Sequence, residues 1–201
     1  MTLTAAIDQD EKLRMIIEDF GGHYCQKADI RLGGRRFLCA TLWTDMRLGG
    51  SISDNTAEAA KVMNDYKHIR VAGRGYARLR PADTIAIHQD HLAWLEHSLA
   101  TPFVGDTVVV SHHAPLPNCL PDGHVLPAAY ASDLSATILK YQPIVWAHGH
   151  VHQHCTVQLG KTHILNVSLG YPAAVDPDQP RNDPLSGLIL WVGPKVAIPA
   201  N

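Results

Sequence analysis

The chain has 201 residues, of which 46% are hydrophobic, a length and composition that suit one globular domain with a sizeable core. Its 17 Lys and Arg residues nearly balance 19 Asp and Glu residues, and this excludes a basic footprint for nucleic acid or for an anionic membrane surface. No apolar run reaches the roughly 18 residues that a membrane span needs. The N-terminus lacks signal-peptide character and the four cysteines lack C-x-x-C spacing, so we expect free thiols and a cytoplasmic location.

The first 41 residues predict a helix and a hairpin. Apolar residues at helical spacing between 13 and 20 precede Gly21-Gly22, which is typical of a helix with a glycine C-cap. Two strand patterns, 29–32 and 35–41, flank Gly33-Gly34 and predict a tight hairpin.

Residues 45–82 are rich in Gly, Asp, Asn and Arg and have weak periodicity, which predicts a long surface excursion with one short helix near 57–66. A longer helix should follow, with Asp83 as its N-cap and Pro102 just beyond its end.

Histidines of this longer helix have different expected surroundings. His88 falls on the apolar face with the leucines, so we expect it at the edge of the core. His91 and His97 fall outside that face and are expected to point to solvent.

The second half predicts a strand-helix-strand unit followed by a hairpin, so the fold class is α/β. We expect the strands ending at Ser111 and Ala147 to lie side by side in a mostly parallel sheet, with the hairpin in a second sheet packed against it. The predicted elements are a strand at 107–110, a Pro-rich loop at 114–127, a helix at 132–141, a strand at 143–147, hairpin strands at 153–159 and 162–167, and a last strand at 188–192.

Histidine clusters follow both central strands. His112-His113 succeeds the first strand, and His148 to His154 places histidines at alternate positions behind the second. Alternate residues of an extended segment point to one side, and ligands of α/β proteins gather at the carboxyl ends of strands. We therefore expect His112, His150 and His152 to converge on a metal site, since neutral imidazole is the commonest metal ligand.

These motifs resemble the calcineurin-like metallophosphoesterases. The resemblance is carried by V-V-S-H-H-A-P at 109–115, H-G-H-V-H at 148–152 and the Asn166 to Pro172 segment, and it covers about residues 10–175. It matches only the C-terminal half of that family, because the D-x-H, G-D and G-N-H-[ED] motifs of the N-terminal half are absent.

The resemblance implies a metal-dependent phosphoester hydrolase built as the C-terminal part of an α/β/β/α sandwich with mixed sheets, with residues 1–201 forming a single, incomplete domain. It implies divalent ions (Mn, Fe or Zn, two in the intact family) and a phosphoester substrate. The residues that it assigns are His112 and His150 as ligands of one ion, His152 as a ligand of the other, and His113, His148 and Asn118 around them.

The missing motifs imply that the chain alone is inactive or nearly so, and that it self-associates or binds an N-terminal half. Without a bridging carboxylate, two cations about 3.5 Å apart would repel one another with little to offset the repulsion. The alternative is a non-catalytic metal-binding or assembly subunit that needs a partner half-domain.

Two other enzyme classes are less well supported. His150 to His154 superficially resembles the H-x-H-x-D-H loop of metallo-β-lactamase-like hydrolases, but Gln153 stands where that loop has aspartate, and only His163 follows as a further ligand. A nucleophile-based hydrolase lacks support because there is no G-x-S-x-G motif.

Overall fold

The computed structural model describes residues 9–168, with side chains from residue 11 onward. The strand predicted at 188–192 and the segment at 170–172 lie outside the described residues. The helices are α1 (Gln9–Asp19), α2 (Ile52–Val62), α3 (Asn64–His68), α4 (Pro81–Ala100) and α5 (Ser135–Tyr141). The strands are β1 (Ala28–Leu32), β2 (Arg35–Ala40), β3 (Arg70–Val71), β4 (Ala77–Arg78), β5 (Thr107–Ser111), β6 (Val145–His148), β7 (Thr156–Leu159) and β8 (Thr162–Asn166).

A six-stranded mixed sheet forms the centre of the α/β fold, in the order β1-β2-β5-β6-β8-β7. The inner strands β2, β5, β6 and β8 are parallel, and the outer strands β1 and β7 pair antiparallel to their neighbours. The predicted adjacency of the two central strands is confirmed, with Val110 opposite Ala147. The β1-β2 hairpin is confirmed as well, and Gly33 and Gly34 both adopt the positive φ that its tight turn requires.

The expected second sheet is wrong for the β7-β8 hairpin. Strand β8 pairs parallel with β6, with Trp146 opposite Ile164, so the hairpin extends the same sheet. Buried and half-buried residues alternate along β8, and Ile164 is fully buried. Without β8, the buried strand β6 would be the edge of the sheet. Pairing with β8 therefore gives the backbone groups of β6 their hydrogen-bond partners.

The main core lies between the sheet and helices α4 and α5. Strands β5 and β6 are nearly continuous apolar runs, as expected for parallel strands covered on both faces. Leu38, Val109 and Trp146 from the sheet pack with Leu95 of α4 and Ile138 of α5. The Trp146 indole donates to Ser111 Oγ at 2.9 Å, which satisfies its only polar atom inside the core.

Residues 45–82 correct the expectation of a surface excursion. They form α2, α3 and the small β3-β4 hairpin around a second core cluster that includes Met46, Ala59, Met63 and Tyr66. This cluster packs against the 126–130 loop. Residues 45–82 can form this core with few apolar residues of their own, because the 126–130 loop supplies the others. The local sequence periodicity does not reveal packing between segments that are distant in sequence.

Helix α4 begins earlier than expected and buries a histidine that was expected in solvent. Its N-cap is Arg80, and the Asp83 carboxylate at the third helical position accepts a hydrogen bond from the Arg80 backbone N–H. His88 is buried, and so is His91, which corrects the solvent-facing assignment; His97 is exposed as expected. His91 is buried because it contacts the chain segment that leaves β2.

Helix α5 begins at residue 135 rather than 132. Among residues 9–168, no helix combines the length and apolar character needed to cross a membrane. The cytoplasmic location stays a prediction.

Candidate functional site

Three parallel strands end at the same edge of the sheet and bring the histidine segments together. Strand β2 ends at Ala40, β5 at Ser111 and β6 at His148. The segments that follow β5 and β6 carry His112 and His150. Their proximity is thus a direct result of parallel pairing.

His112 and His150 form an imidazole pair. His112 Nε2 lies 3.0 Å from His150 Nδ1, and the ring centroids are 4.7 Å apart. If neither nitrogen binds another group, one ring must donate its N–H to the lone pair of the other. Two nitrogens that bind one metal ion at about 2.0–2.1 Å are roughly 2.9–3.4 Å apart, so the observed separation also suits a shared ion.

His150 has a strained backbone. Its φ is +63°, and the Val151 N–H donates to the Gly149 carbonyl at 2.7 Å, which closes a γ-turn of the rare form with positive φ at the centre. The Gly149 N–H donates to the His112 carbonyl at 3.0 Å and ties the two histidine segments together. A left-handed histidine held by its surroundings is a common feature of functional sites.

Aromatic rings fix the orientation of the His150 ring. Tyr130 stacks on it with centroids 4.6 Å apart and an interplanar angle of 29°. His113 contacts it at 4.4 Å, and Trp43 stacks on His113 at 5.1 Å. His124 packs edge-on against Tyr130 at 4.3 Å. The His150 ring therefore has neighbours that restrict its rotation.

The imidazoles at this edge, of which His113 and His148 are buried, His150 is half-buried and His112 is exposed, are neutral at pH 7. Burial, reinforced by the charges of His112 and His152, lowers the pKa of His150 to about 3. Burial lowers the pKa of His148 to about 4, lowers the pKa of His113 well below its usual range, and also lowers the pKa of His112. Neutral imidazole is the form that binds a metal ion.

Three buried ring nitrogens have no hydrogen-bond partner: His113 Nε2, His148 Nε2 and His150 Nε2. The Nδ1 atoms of His113 and His148 donate to the carbonyls of Thr41 and Gly149, so the Nε2 atoms of these two rings carry lone pairs. Unpaired buried polar atoms cost about 1–3 kcal/mol each, so their concentration at one strand edge points to a bound species.

The other predicted site residues lie further out. His152 is exposed and lines a groove beside His150. Asn118 is exposed and lines a separate cavity of about 470 Å³, and its carbonyl accepts from the Cys155 thiol. Among residues 11–168, no group of three or more His, Cys, Asp or Glu side chains could hold a metal ion. The structure thus brings together two of the three predicted imidazoles, and the three-histidine metal site stays a prediction.

The groove beside His150 has a volume of about 710 Å³. Val62, Met63, Leu126 and Val151 supply an apolar wall. Asp65 contributes a carboxylate, whose charge raises the pKa of His112 against the larger effect of burial. The groove is large enough for a small organic molecule.

Sequence reasoning missed Trp43, Tyr130 and Asp65 at this site. Each lies on a different segment that only the fold brings to the histidines. The one available signal was the position of Trp43 just after β2. Strand β2 is parallel to β5, so the segments that follow the two strands lie at the same edge of the sheet.

No family model and no curated protein matches the chain. Eight chains among solved structures resemble it. One is the phosphopantetheinyl hydrolase from Mycobacterium tuberculosis, with a TM-score of 0.58 and 17% sequence identity. The alignment covers 85% of this chain and 64% of that protein, so the chain spans less than two thirds of its length. At this identity the likeness shows the fold alone.

These comparisons correct the family assignment. The sequence motifs resemble calcineurin-like metallophosphoesterases, but no family model matches the chain, and a solved structure with a similar fold is a phosphopantetheinyl hydrolase. The prediction that the chain belongs to that family was wrong. The expectation that the chain alone is inactive rested on the missing motifs of that family, so it no longer holds. The mixed α/β class remains.

Proposed function

We propose that the chain is a hydrolase of phosphoester bonds whose reaction centre is the imidazole pair of His112 and His150. The observation that carries this proposal is the pairing of two neutral imidazoles at 3.0 Å beside a groove of about 710 Å³. The fold shared with a phosphopantetheinyl hydrolase supports a phosphoester linkage as the bond that is cleaved.

A divalent ion belongs to this proposal. His112 Nε2 and His150 Nδ1 would hold it, and an all-nitrogen donor pair favours zinc or iron over manganese, which prefers oxygen ligands. When bound, such an ion polarises a phosphoryl oxygen and lowers the pKa of a bound water. A two-ion centre lacks support among residues 11–168, because no carboxylate there joins the histidines in a metal-binding group.

The protein's own contribution is to orient the His150 ring. Tyr130 and His113 contact the His150 ring and hold its lone pair toward His112. The strained turn at His150 keeps that ring at the mouth of the groove. Rigid placement of this kind lowers the entropic cost of reaching the transition state.

The groove would receive the organic group of the ester. Its apolar wall of Val62, Met63, Leu126 and Val151 suits a linear, weakly polar chain better than a polyanion, because Asp65 would repel negative charge. Phosphodiesters of pantetheine are substrates of this kind.

The test is hydrolysis of a phosphopantetheine diester and of a generic aryl phosphodiester by protein loaded with zinc, iron or manganese. We expect metal-dependent turnover that His150→Ala abolishes. His154→Ala is the matched control, because His154 is exposed on the same loop and should leave turnover unchanged. Absence of turnover by protein shown to hold metal would contradict the proposal.

A non-catalytic assembly subunit is the second candidate. Helix α1 and the turn that follows it present Leu13, Ile16 and Phe20 on one exposed stripe, and Phe20 is 89% exposed. An unpaired apolar helix face marks an interaction surface. Metal uptake without turnover, together with self-association in solution, would favour this function.

A further inference from the structure

The turn that leaves β2 is the most strained segment near the imidazole pair. Leu42, Trp43 and Met46 all have positive φ, at +70°, +56° and +57°. The Trp43 N–H donates to the Thr41 carbonyl at 2.9 Å and closes a γ-turn around Leu42. A side chain on a residue with positive φ crowds the backbone, so other contacts must stabilise the turn.

Two buried histidines of α4 bind both backbone polar groups of Leu42. His91 Nδ1 accepts from the Leu42 N–H at 3.2 Å. His88 Nδ1 lies 3.1 Å from the Leu42 carbonyl and 3.3 Å from the Trp43 carbonyl. His88 and His91 are only 2% and 5% exposed, so water does not compete effectively for these bonds.

The bonds require opposite tautomers. Carbonyl oxygens can only accept, so His88 must carry its proton on Nδ1. His91 Nδ1 accepts from an N–H, so its proton must lie on Nε2. One histidine thus acts as a donor and the other as an acceptor for the same residue.

The turn is connected to the imidazole pair by two routes. The Thr41 carbonyl accepts from the backbone N–H groups of His112 and His113 at 3.3 and 3.4 Å, and from His113 Nδ1 at 3.4 Å. Trp43 stacks on His113, which in turn contacts His150. A shift of the turn would therefore move the groups that hold both members of the pair.

We propose that His88 and His91 are positioning residues for the imidazole pair, which they orient by holding the Leu42 turn in its strained conformation. Neither contacts the pair directly, and their effect passes through Thr41 and Trp43. The proposal rests on the proposed function only for its relevance to hydrolysis. The geometry can be tested without any substrate.

The first test uses the unmodified protein. Nitrogen-15 NMR of the imidazole rings should show the Nδ1–H tautomer for His88 and the Nε2–H tautomer for His91. The reverse assignment for either ring would overturn the proposal, because the bond to Leu42 could not then form.

The second test compares leucine and asparagine at each position. Leucine removes the polar atom, whereas asparagine places a donor or acceptor near the position of Nδ1. We expect His88→Leu and His91→Leu to displace the His113 ring and Trp43 indole resonances and to weaken the affinity for zinc alone by about tenfold, a size typical of outer groups of metal sites. The asparagine variants should restore both properties to near wild type.

A matched control separates positioning from general loss of stability. Leu95→Val trims the buried core one turn further along α4 and should destabilise the protein without displacing the His113 resonances. Leucine variants with unchanged resonances and unchanged zinc affinity would contradict the proposal. If a leucine variant does not fold, asparagine variants with displaced His113 resonances would contradict it equally. A wild type that binds none of zinc, iron and manganese would refute the proposed function, while the resonances would still test the positioning.

Discussion

Removing the Asp83 carboxylate should destabilise the helix that carries His88 and His91. The Asp83 side chain is 7% exposed and accepts from Arg74 Nη2 at 2.7 Å, from Arg80 Nη2 at 2.8 Å and from the Arg80 backbone N–H at 2.8 Å. Asp83→Ala therefore removes both the acceptor for the Arg80 N–H at the start of α4 and a partly buried ion pair.

The expected loss is about 2 kcal/mol of unfolding free energy. The lost cap accounts for about 1 kcal/mol. The lost bond to Arg74 accounts for about 1 more, because that guanidinium is 29% exposed and regains water, which reduces the value of the charge-assisted bond. Asp83→Asn retains an acceptor for the Arg80 N–H and should lose about half as much.

The sign of the pH dependence follows from the pKa of Asp83. Burial opposes its charge, but hydrogen bonds from Arg80 and the charges of Arg74 and Arg80 outweigh burial and lower the pKa below 3.8. A carboxylate with a lowered folded pKa stabilises the protein above the unfolded pKa, and this contribution is lost as pH falls through the folded pKa. The difference between wild type and Asp83→Ala should therefore persist from pH 7 to about pH 4 and shrink below pH 3.8.

Urea unfolding followed by circular dichroism measures these differences. The control is Asp90→Ala on the same helix, because Asp90 is 64% exposed in its ion pair with Lys27 and should contribute less than about 0.5 kcal/mol. Equal losses for Asp83→Ala and Asp90→Ala at pH 7 would refute the reasoning.

Two further predictions concern the hairpin and α1. Gly105→Ala should lower the free energy of unfolding by about 3 kcal/mol, because the φ of Gly105 is +137° and a Cβ there would collide with the Gly34 carbonyl oxygen. Gly33 has a φ of +58° and open space around it, so Gly33→Ala should cost only about 1 kcal/mol. Equal losses in urea unfolding would contradict this prediction. Ile16→Ser with Phe20→Ser should lower the self-association measured by light scattering, since both side chains are exposed, one on α1 and one in the turn directly after it. A wild type that is monomeric at all concentrations would contradict this expectation.

The sequence predicted the parts of the fold that depend on local pattern. Continuous apolar runs identified β5 and β6, and the strand-helix-strand order placed them side by side. It did not predict that β8 joins the same sheet, because an antiparallel hairpin carries the same pattern whichever sheet it extends. The register of β8 against β6 depends on tertiary packing.

The sequence predicted only part of the candidate site. His112 and His150 were expected to meet because each follows a parallel strand, and they do. His152 lies further out, because the strained turn at His150 redirects the chain that follows. Asn118 is exposed on the segment between β5 and α5. The burial of His91 was missed because its partner is a backbone N–H of a turn, and no sequence pattern reveals that partner.

X-ray absorption at the zinc edge tests the central claim most directly. For protein loaded with one equivalent of zinc, the account predicts a nitrogen shell at about 2.0–2.1 Å with the scattering of two imidazoles, and loss of that shell in His112→Ala with His150→Ala. Zinc bound without imidazole scattering, or an unchanged spectrum in the double variant, would contradict the claim that these two histidines form the centre.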